Sequence, residues 1–276
     1  MRNHRLLQIL VAGTALFCTV LKSEEPVSHS EPQQPELTWC LDHFSGFHHY
    51  EDVAEPYGPS VDLMRELARR SGFTLRFTPR TTINRCFRLM EEGQVDLMSN
   101  LKFSEDRAKI MVLLPYETTI AESVFLLRSD KRPLTQFSQL KNLTVASIRG
   151  YLYSENTMQF IQQNRSHVAE VESIESGLEM LYRGRVDALI SPTVSTSDAI
   201  FSTSSYQDRF RIAALNISTG NNAHINIGVS RQSQYIKLLP TIERHIKAMQ
   251  TDGTVKRLYT DMVLSPRIKQ LKAKPE

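Results

Sequence analysis

Apolar residues recur with two different periods along residues 37–264. Short β-like runs, such as residues 73–77 and 168–171, are each followed by a stretch in which apolar residues stand at i, i+4 and i+7. The apolar positions of the two stretches are Ile83, Phe87 and Met90, and Ile174, Leu178 and Leu181. That spacing predicts amphipathic helices, and strands that alternate with helices predict an α/β fold with parallel sheets.

One local pattern occurs twice. Residues 91–99 (EEGQVDLMS) and 182–191 (YRGRVDALIS) both place a glycine at the end of a predicted helix and an apolar strand shortly after it. Gly93 and Gly184 stand where a residue in the left-handed conformation commonly ends a helix. Because the unit occurs twice, the pattern favours two similar α/β lobes over one continuous sheet.

The remaining periodic segments extend this plan. Residues 60–71 predict a helix that Ser60 caps and Gly72 ends, and another helix is predicted from Gly150 to residue 163. Further strands are predicted at residues 37–41, 143–148 and 225–230, and further helices at residues 235–250, interrupted by Pro240, and 254–263.

Two strand-like segments, residues 123–127 and 225–230, lie on either side of the middle of the chain. If both cross between the lobes, lobe one is discontinuous and lobe two is inserted within it. The predicted domains are lobe one at 37–126 and 225–264, lobe two at 127–224, and a frayed Lys/Pro-rich tail at 265–276.

The N-terminal segment predicts export. Arg2 and Arg5 precede an apolar run over residues 6–21, which is typical of a secretory signal. We expect a cleaved signal peptide at 1–23, with an uncleaved anchor as the alternative, and a periplasmic location. Residues 24–36 are polar and Pro-rich, which predicts a disordered leader.

The net charge of +3 belongs to the export signal. The chain has 33 Lys+Arg and 30 Asp+Glu, and residues 1–23 contain three of the bases and none of the acids. The remaining chain is therefore balanced, and no nucleic-acid partner is expected. The 23% of charged residues exclude a polytopic membrane protein. No G-x-S-x-G, H-E-x-x-H or phosphate-loop motif occurs, so neither an enzymatic activity nor a cofactor is expected.

Several short motifs in a fixed order resemble those of the amino-acid-type periplasmic solute-binding proteins, family 3. They are PSVDLM at 59–64, GQVD at 93–96, FSEDR at 103–107, LPY at 114–116, LKNLTV at 140–145 with Gly150, GRVDA at 184–188 and DGT at 252–254. The resemblance covers residues 37–263. Each motif alone is weak, whereas their common order and spacing is specific.

The resemblance implies a two-lobed, hinged α/β fold of the periplasmic-binding-protein type (type II), with lobe two inserted in lobe one. It also implies a monomeric receptor that closes on a small carboxylate-bearing solute, an amino acid or a related acid. Such a receptor delivers its solute to an ABC permease in the inner membrane. The alternatives are a dehydratase-like enzyme of the same fold and a ligand-sensing module without transport.

The resemblance also names candidate ligand-binding residues in lobe one. Arg107 matches the arginine that holds the ligand's carboxylate, and a guanidinium can clamp two oxygens at once. The alternative is a surface arginine beside Glu105 and Asp106. The preceding polar stretch contributes Ser99, Asn100 and Lys102, and the first strand is followed by Asp42 and Phe44.

In lobe two, Arg149, Gly150 and Tyr151 are expected to begin a helix whose amides face an anionic group. Ser191 stands near the position of the aspartate that receives the ligand's ammonium in amino-acid receptors. Because a buried ammonium needs a carboxylate partner, either another acid such as Asp42 substitutes or the ligand is not a standard amino acid.

The cysteines and histidines leave two further questions. Cys40 and Cys86 remain after signal cleavage and form either one disulfide or two buried free thiols. His43, His48 and His49 share a loop with acidic residues, but their spacing is not a recognised ligand frame and no metal site is expected.

Overall fold

The computed structural model describes residues 34–50, 55–118, 121–218, 220, 223–263 and 266–272. The predicted signal segment, 1–23, and most of the predicted leader lie outside these ranges. The described strands are β1 (Glu36–Trp39), β2 (Thr74–Phe77), β3 (Leu97–Leu101), β4 (Met111–Thr118), β5 (Glu122–Leu127), β6 (Val145–Ile148), β7 (Val168–Val171), β8 (Ala188–Pro192), β9 (Phe210–Ile212) and β10 (His224–Ser230). The described helices are α1 (Pro59–Ser71), α2 (Ile83–Glu91), α3 (Glu105–Ile110), α4 (Glu155–Gln163), α5 (Ile174–Tyr182), α6 (Thr193–Ser202), α7 (Leu239–Thr251), α8 (Thr254–Val263) and α9 (Pro266–Lys272).

The described strands form two sheets with the same arrangement. In the first, β1 lies parallel between β2 and β3, and β10 lies antiparallel between β3 and β4, which gives the order β2-β1-β3-β10-β4. In the second, β6 lies parallel between β7 and β8, and β5 lies antiparallel between β8 and β9, which gives the order β7-β6-β8-β5-β9. We name the first sheet with the helices packed on it lobe one, and the second sheet with the helices packed on it lobe two. The predicted two-lobed α/β arrangement is confirmed.

The change of lobe falls earlier than the sequence indicated. The predicted boundary lies after residue 126, but β5 pairs with β8 and β9 in the second sheet. Val124 and Leu126 are buried in the core of lobe two, which explains why this strand cannot belong to lobe one. The chain therefore enters lobe two before Glu122 and returns to lobe one with β10.

The repeated unit has the same role in both lobes. Gly93 and Gly184 follow α2 and α5 with φ of 69° and 65°, as their predicted positions at the helix ends require. Three residues later, Asp96 accepts the backbone N–H of Thr38 at 2.7 Å, and Asp187 accepts that of Thr144 at 2.9 Å. The unit thus ends a helix and joins it to the start of a neighbouring strand.

Two helices begin at different residues from those predicted. Gly58 and not Ser60 precedes α1, because Pro59 occupies the first helical position, where no N–H is needed. Gly150 does not begin a helix, since it has φ of 79° and a left-handed residue cannot start a right-handed helix. Instead, a loop leads to Ser154, which is the N-cap of α4.

The described part of the C-terminal segment differs from the predicted frayed tail. Residues 266–272 form α9, whose Ile268 and Leu271 are buried against α6 and β9 of lobe two. Arg267 Nη1 donates to Asp198 Oδ1 at 2.8 Å. The pair of apolar residues at i and i+3 binds this helix to lobe two in spite of the surrounding lysines.

Lobe one begins slightly before its predicted start and contains a disulfide. Glu36 belongs to β1, and Pro35 O accepts the N–H of Thr74 at 2.9 Å, so residues 34–36 are not part of a disordered leader. Cys40 and Cys86 are bonded, which joins the end of β1 to α2. Within the described ranges, no helix is both long enough and apolar enough to cross a bilayer.

Candidate ligand-binding site

A cavity of about 80 Å³ lies between the two lobes. Its walls are built from the carboxyl ends of parallel strands, the edge at which α/β sheets commonly bind ligands. Asp42 and Phe44 follow β1, Lys102 follows β3, Tyr151 follows β6, and Pro192 ends β8. The cavity therefore has one wall from each lobe.

Most of the predicted site residues line this cavity. Those that do are Asp42, Phe44, Ser99, Asn100, Lys102, Arg107 and Tyr151. Those that do not are Arg149, Gly150 and Ser191. The sequence thus located the lobe-one wall better than the lobe-two wall.

Arg107 lies on the lobe-one side, on the short helix α3. Ser104 caps that helix by accepting the N–H of Arg107 at 3.3 Å. The guanidinium donates to Lys102 O at 2.8 Å and, across the cleft, to Gly150 O at 3.1 Å, and it lies 4.8 Å from the centre of the Phe87 ring. Burial lowers the pKa of Arg107 to about 10. Among the described residues, no carboxylate pairs with this arginine.

Glu122 lines the cavity on the lobe-two side, and no sequence motif predicted it as a site residue. Its carboxylate accepts the backbone N–H of Ser154 at 2.9 Å and the Ser154 hydroxyl at 2.6 Å, at the N-terminus of α4. Both of these bonds go to Oε1 of Glu122, and Lys102 Nζ of lobe one lies 3.4 Å from Oε2. The sequence Ser154-Glu155 is a common helix start and could have indicated the N-terminus of α4, but it does not indicate that Glu122 meets this helix end.

A polar network extends behind the lobe-one wall. His48 Nε2 lies 3.2 Å from Asp42 Oδ1, and Asn100 Nδ2 lies 3.4 Å from His48 Nδ1. Asn100 has φ of 58°, and its Oδ1 accepts the Tyr116 hydroxyl at 2.6 Å. Burial raises the pKa of Tyr116 well above its ordinary value, so this hydroxyl stays a neutral donor. These bonds hold the amide of Asn100 in one orientation.

Aromatic rings form the apolar part of the cavity. Phe44 stacks on Phe47 with ring centres 4.9 Å apart. Tyr151 of lobe two meets Phe44 edge-on at 5.7 Å. Burial raises the pKa of Tyr151 well above its ordinary value, so the phenol is neutral. The rings provide a surface against which the body of a small ligand can pack.

Three predicted residues face elsewhere. The Arg149 side chain lies outside the cavity and forms ion pairs with Glu170 and Glu172. Gly150 contributes only its carbonyl, to Arg107. Ser191 is fully buried and exchanges a hydrogen bond with Thr196 at 2.5 Å, because its side chain points into lobe two. Arg149 is therefore not among the lysines and arginines that line the cavity, which are Lys102 and Arg107.

The loop after β1 touches lobe two outside the cavity. Ser45 Oγ donates to Asp198 Oδ2 at 2.9 Å, His49 Nε2 lies 3.6 Å from the same carboxylate, and His43 Nε2 lies 3.7 Å from Glu175. Within the described part of the chain, no group of three or more His, Cys, Asp or Glu is arranged to hold a metal ion. His43 and His49 are thus seen in contacts between the lobes, whereas His48 contacts Asp42 and Asn100 within lobe one.

The fold and this cleft are those of a solute-binding receptor. Residues 39–263 match the family model of the bacterial extracellular solute-binding proteins, family 3. The chain belongs to this family, and the resemblance found in the sequence is confirmed. No curated protein matches the chain in sequence.

Solved structures of binding proteins share the fold. An ancestral arginine-binding protein bound to arginine superposes with a TM-score of 0.71 at 17% identity, covering 83% of this chain and 98% of its own. An arginine transport-system periplasmic binding protein from Legionella pneumophila has a TM-score of 0.69 at 22% identity, covering 83% and 100%. A histidine kinase sensor domain similar to periplasmic binding proteins has a TM-score of 0.71 at 17% identity, covering 84% and 96%. The predicted periplasmic-binding-protein-like fold is confirmed.

Proposed function

We propose that this chain is a periplasmic receptor that binds a small carboxylate-bearing solute and delivers it to an ABC permease of the inner membrane. The observation that carries the proposal is that the Arg107 guanidinium lies at the cavity without an acidic partner among the described residues. Its guanidinium is half-buried at the cavity, and its hydrogen-bond partners are two backbone carbonyls. A carboxylate would supply the missing opposite charge.

The geometry of Arg107 supports a clamp on one carboxylate. A guanidinium has five N–H donors, of which two contact the carbonyls of Lys102 and Gly150. The guanidinium carbon lies 4.8 Å from the centre of the Phe87 ring, a cation–π contact that helps to hold the group in place. Since Gly150 belongs to lobe two, the same arginine links ligand contact to closure of the cleft.

The solute class rests on the surrounding residues. Phe44 and Tyr151 offer an apolar surface for the body of the ligand. If the ligand carries an ammonium, Asp42 is the cavity acid that would take the place of the missing lobe-two aspartate, and it already contacts His48. The arginine-binding neighbours support amino acids as the first compounds to test, and related carboxylates without an ammonium are the second.

A thermal-shift screen tests the proposal. The wild type is expected to gain stability with at least one compound from a panel of amino acids and short carboxylic acids, since a ligand that binds only the folded state raises the melting temperature. Arg107→Ala is expected to lose that shift. Arg149→Ala is the matched control, because this arginine ion-pairs outside the cavity. The loaded wild type, and not Arg107→Ala, should stimulate ATP hydrolysis by the reconstituted permease.

Two results would contradict this function. The first is a wild type that responds to no compound of the panel. The second is an Arg107→Ala variant that responds as the wild type does.

A further inference from the structure

Besides Arg107, the cleft contains a second charged group at the cavity wall, the carboxylate of Glu122. Glu122 begins β5 on the lobe-two wall, and its side chain is 1% exposed. One carboxylate oxygen accepts both the N–H and the hydroxyl of Ser154 at the N-terminus of α4. A helix N-terminus stabilises an anion, and here that anion is a side chain of the protein.

The other oxygen of Glu122 faces the opposite lobe. Lys102 Nζ lies 3.4 Å from it, and the lysine side chain is 15% exposed. Lys102 follows β3, so this ion pair joins the two lobes across the cavity that both residues line. Each oxygen of the carboxylate therefore has a partner before any ligand binds.

The carboxylate is ionised in this position. Burial alone raises the pKa of Glu122, but the charge of Lys102 and the hydrogen bonds of Ser154 and Thr157 outweigh it, and the pKa lies below its ordinary value. The cleft thus holds one satisfied anion at Glu122 and one cation at Arg107 that has no acidic partner in the described chain.

We propose that the Glu122–Lys102 ion pair occupies the second anion position of the cleft and makes the receptor select ligands with one carboxylate over dicarboxylates. This inference rests on the proposed function, since Arg107 binds the single carboxylate. The second carboxylate of a diacid would approach Glu122, whose two oxygens already have partners and which carries the same charge. Like charges brought together in a half-buried cleft disfavour the complex.

The same contacts argue against Glu122 as the receptor for a ligand's ammonium. An ammonium would have to displace Lys102, which is tethered in place, and Ser154 already uses the other oxygen. A tethered cation has less entropy to lose than a free one, so exchange is unfavourable. The Glu122–Lys102 ion pair therefore occupies a place in the cleft that an ionic group of the ligand could otherwise take.

The test compares matched probes on three proteins. Dissociation constants are measured by calorimetry for monomethyl succinate against succinate, and for L-glutamine against L-glutamate. The proteins are the wild type, Glu122→Ala, and Glu155→Gln as the control, since Glu155 is an exposed acid at the same helix start. Glu122→Ala vacates the position and leaves Lys102 and Ser154 free to bind a second carboxylate. The preference for the monoacid is expected to fall by about tenfold or more in Glu122→Ala, and to stay within about twofold in the control.

A second readout does not require Arg107. In the Arg107→Ala background, formate is expected to raise the melting temperature only when Glu122→Ala is also present, because formate then fills the vacant position. If Glu122→Ala fails to fold, Glu122→Gln removes the charge at constant size, and its monoacid preference should fall by a smaller factor.

The outcomes separate the two proposals. If the wild type binds monoacids and Glu122→Ala or Glu122→Gln keeps the wild-type preference, the selectivity inference is wrong and the proposed function stands. If Glu122→Gln loses L-glutamine but keeps monomethyl succinate, Glu122 is an ammonium receptor and the inference is also wrong. If the wild type binds no carboxylate, the proposed function fails. The formate experiment then still shows whether the site vacated in Glu122→Ala accepts an anion. If formate does not raise the melting temperature, the inference that Glu122 occupies an anion position is wrong.

Discussion

Lobe one brings Arg107 to the cleft with two backbone carbonyls as hydrogen-bond partners, whereas lobe two brings Glu122 with a helix N-terminus and a lysine as partners. Both groups are charged and both line the same cavity. They differ in whether the protein itself supplies the opposite charge. A charge without an opposite partner favours binding of a ligand ion, and a fully paired charge excludes one of the same sign.

The difference between the lobes extends to their frameworks. They share the sheet order and the repeated helix-to-strand unit, but the disulfide lies in lobe one and no cysteine occurs between residues 127 and 224. Asp96 of lobe one is buried, while Asp187 of lobe two is partly exposed. The same unit is therefore expected to contribute unequally to stability in the two lobes.

The largest effect is expected from the disulfide of lobe one. Cys86 lies on α2 beside Phe87, the ring against Arg107, so the bond also anchors the arginine side of the cleft. Replacing Cys40 and Cys86 by serine should lower the free energy of unfolding by about 4 kcal/mol, since the crosslink closes a loop of 46 residues in the unfolded chain. Urea denaturation measures it. Dithiothreitol should destabilise the wild type and leave the double variant unaffected, and equal sensitivity of both proteins would contradict the assignment.

An intermediate effect is expected from the repeated aspartate. Asp96→Ala leaves the buried N–H of Thr38 and the hydroxyl of Ser233 without their acceptor and should cost about 2–3 kcal/mol. Asp187→Ala should cost about 1 kcal/mol or less, because Thr144 is exposed and water can replace the carboxylate. Paired urea titrations compare the two variants. Equal losses would show that burial does not distinguish the two copies of the unit.

The smallest effect is expected from Glu122 in acid. Because its folded-state pKa lies below the ordinary 4.5, the carboxylate stabilises the folded protein above pH 4.5 and loses that contribution as the pH falls below 4.5. The difference in free energy of unfolding between wild type and Glu122→Gln should therefore shrink between pH 6 and pH 3. Urea titrations across that range measure the difference. A difference that stays constant or grows in acid would show that Glu122 is not an ion-paired carboxylate.

Local chemistry explains which parts of the fold were predictable. Gly93 and Gly184 ended their helices as predicted, because a left-handed residue after a helix is a local requirement that glycine meets. The helix predicted from Gly150 was wrong because that glycine is itself left-handed. The tail prediction failed at α9, where Ile268 and Leu271 acquire a partner surface only once lobe two has folded.

The same distinction applies to the site. Arg107 could be identified from its motif, since the motif carries both the residue and its position in the fold. Glu122 could not, because its partners stand 20 and 32 residues away and meet only when the sheets and lobes assemble. The outward direction of Arg149 is set by Glu170 and Glu172 on a neighbouring strand and the turn that follows it, which the order of motifs does not indicate.

The most direct test of the account is the affinity of Arg107→Ala for a carboxylate that the wild type binds, measured by calorimetry beside Arg149→Ala. Truncating one partner of a buried, hydrogen-bonded charge pair typically weakens binding by 2–5 kcal/mol, so Arg107→Ala should bind at least about 30-fold more weakly. Arg149→Ala should stay within about twofold of the wild type, because its guanidinium is paired outside the cavity. Wild-type affinity in Arg107→Ala would contradict the claim that this arginine receives the ligand's carboxylate.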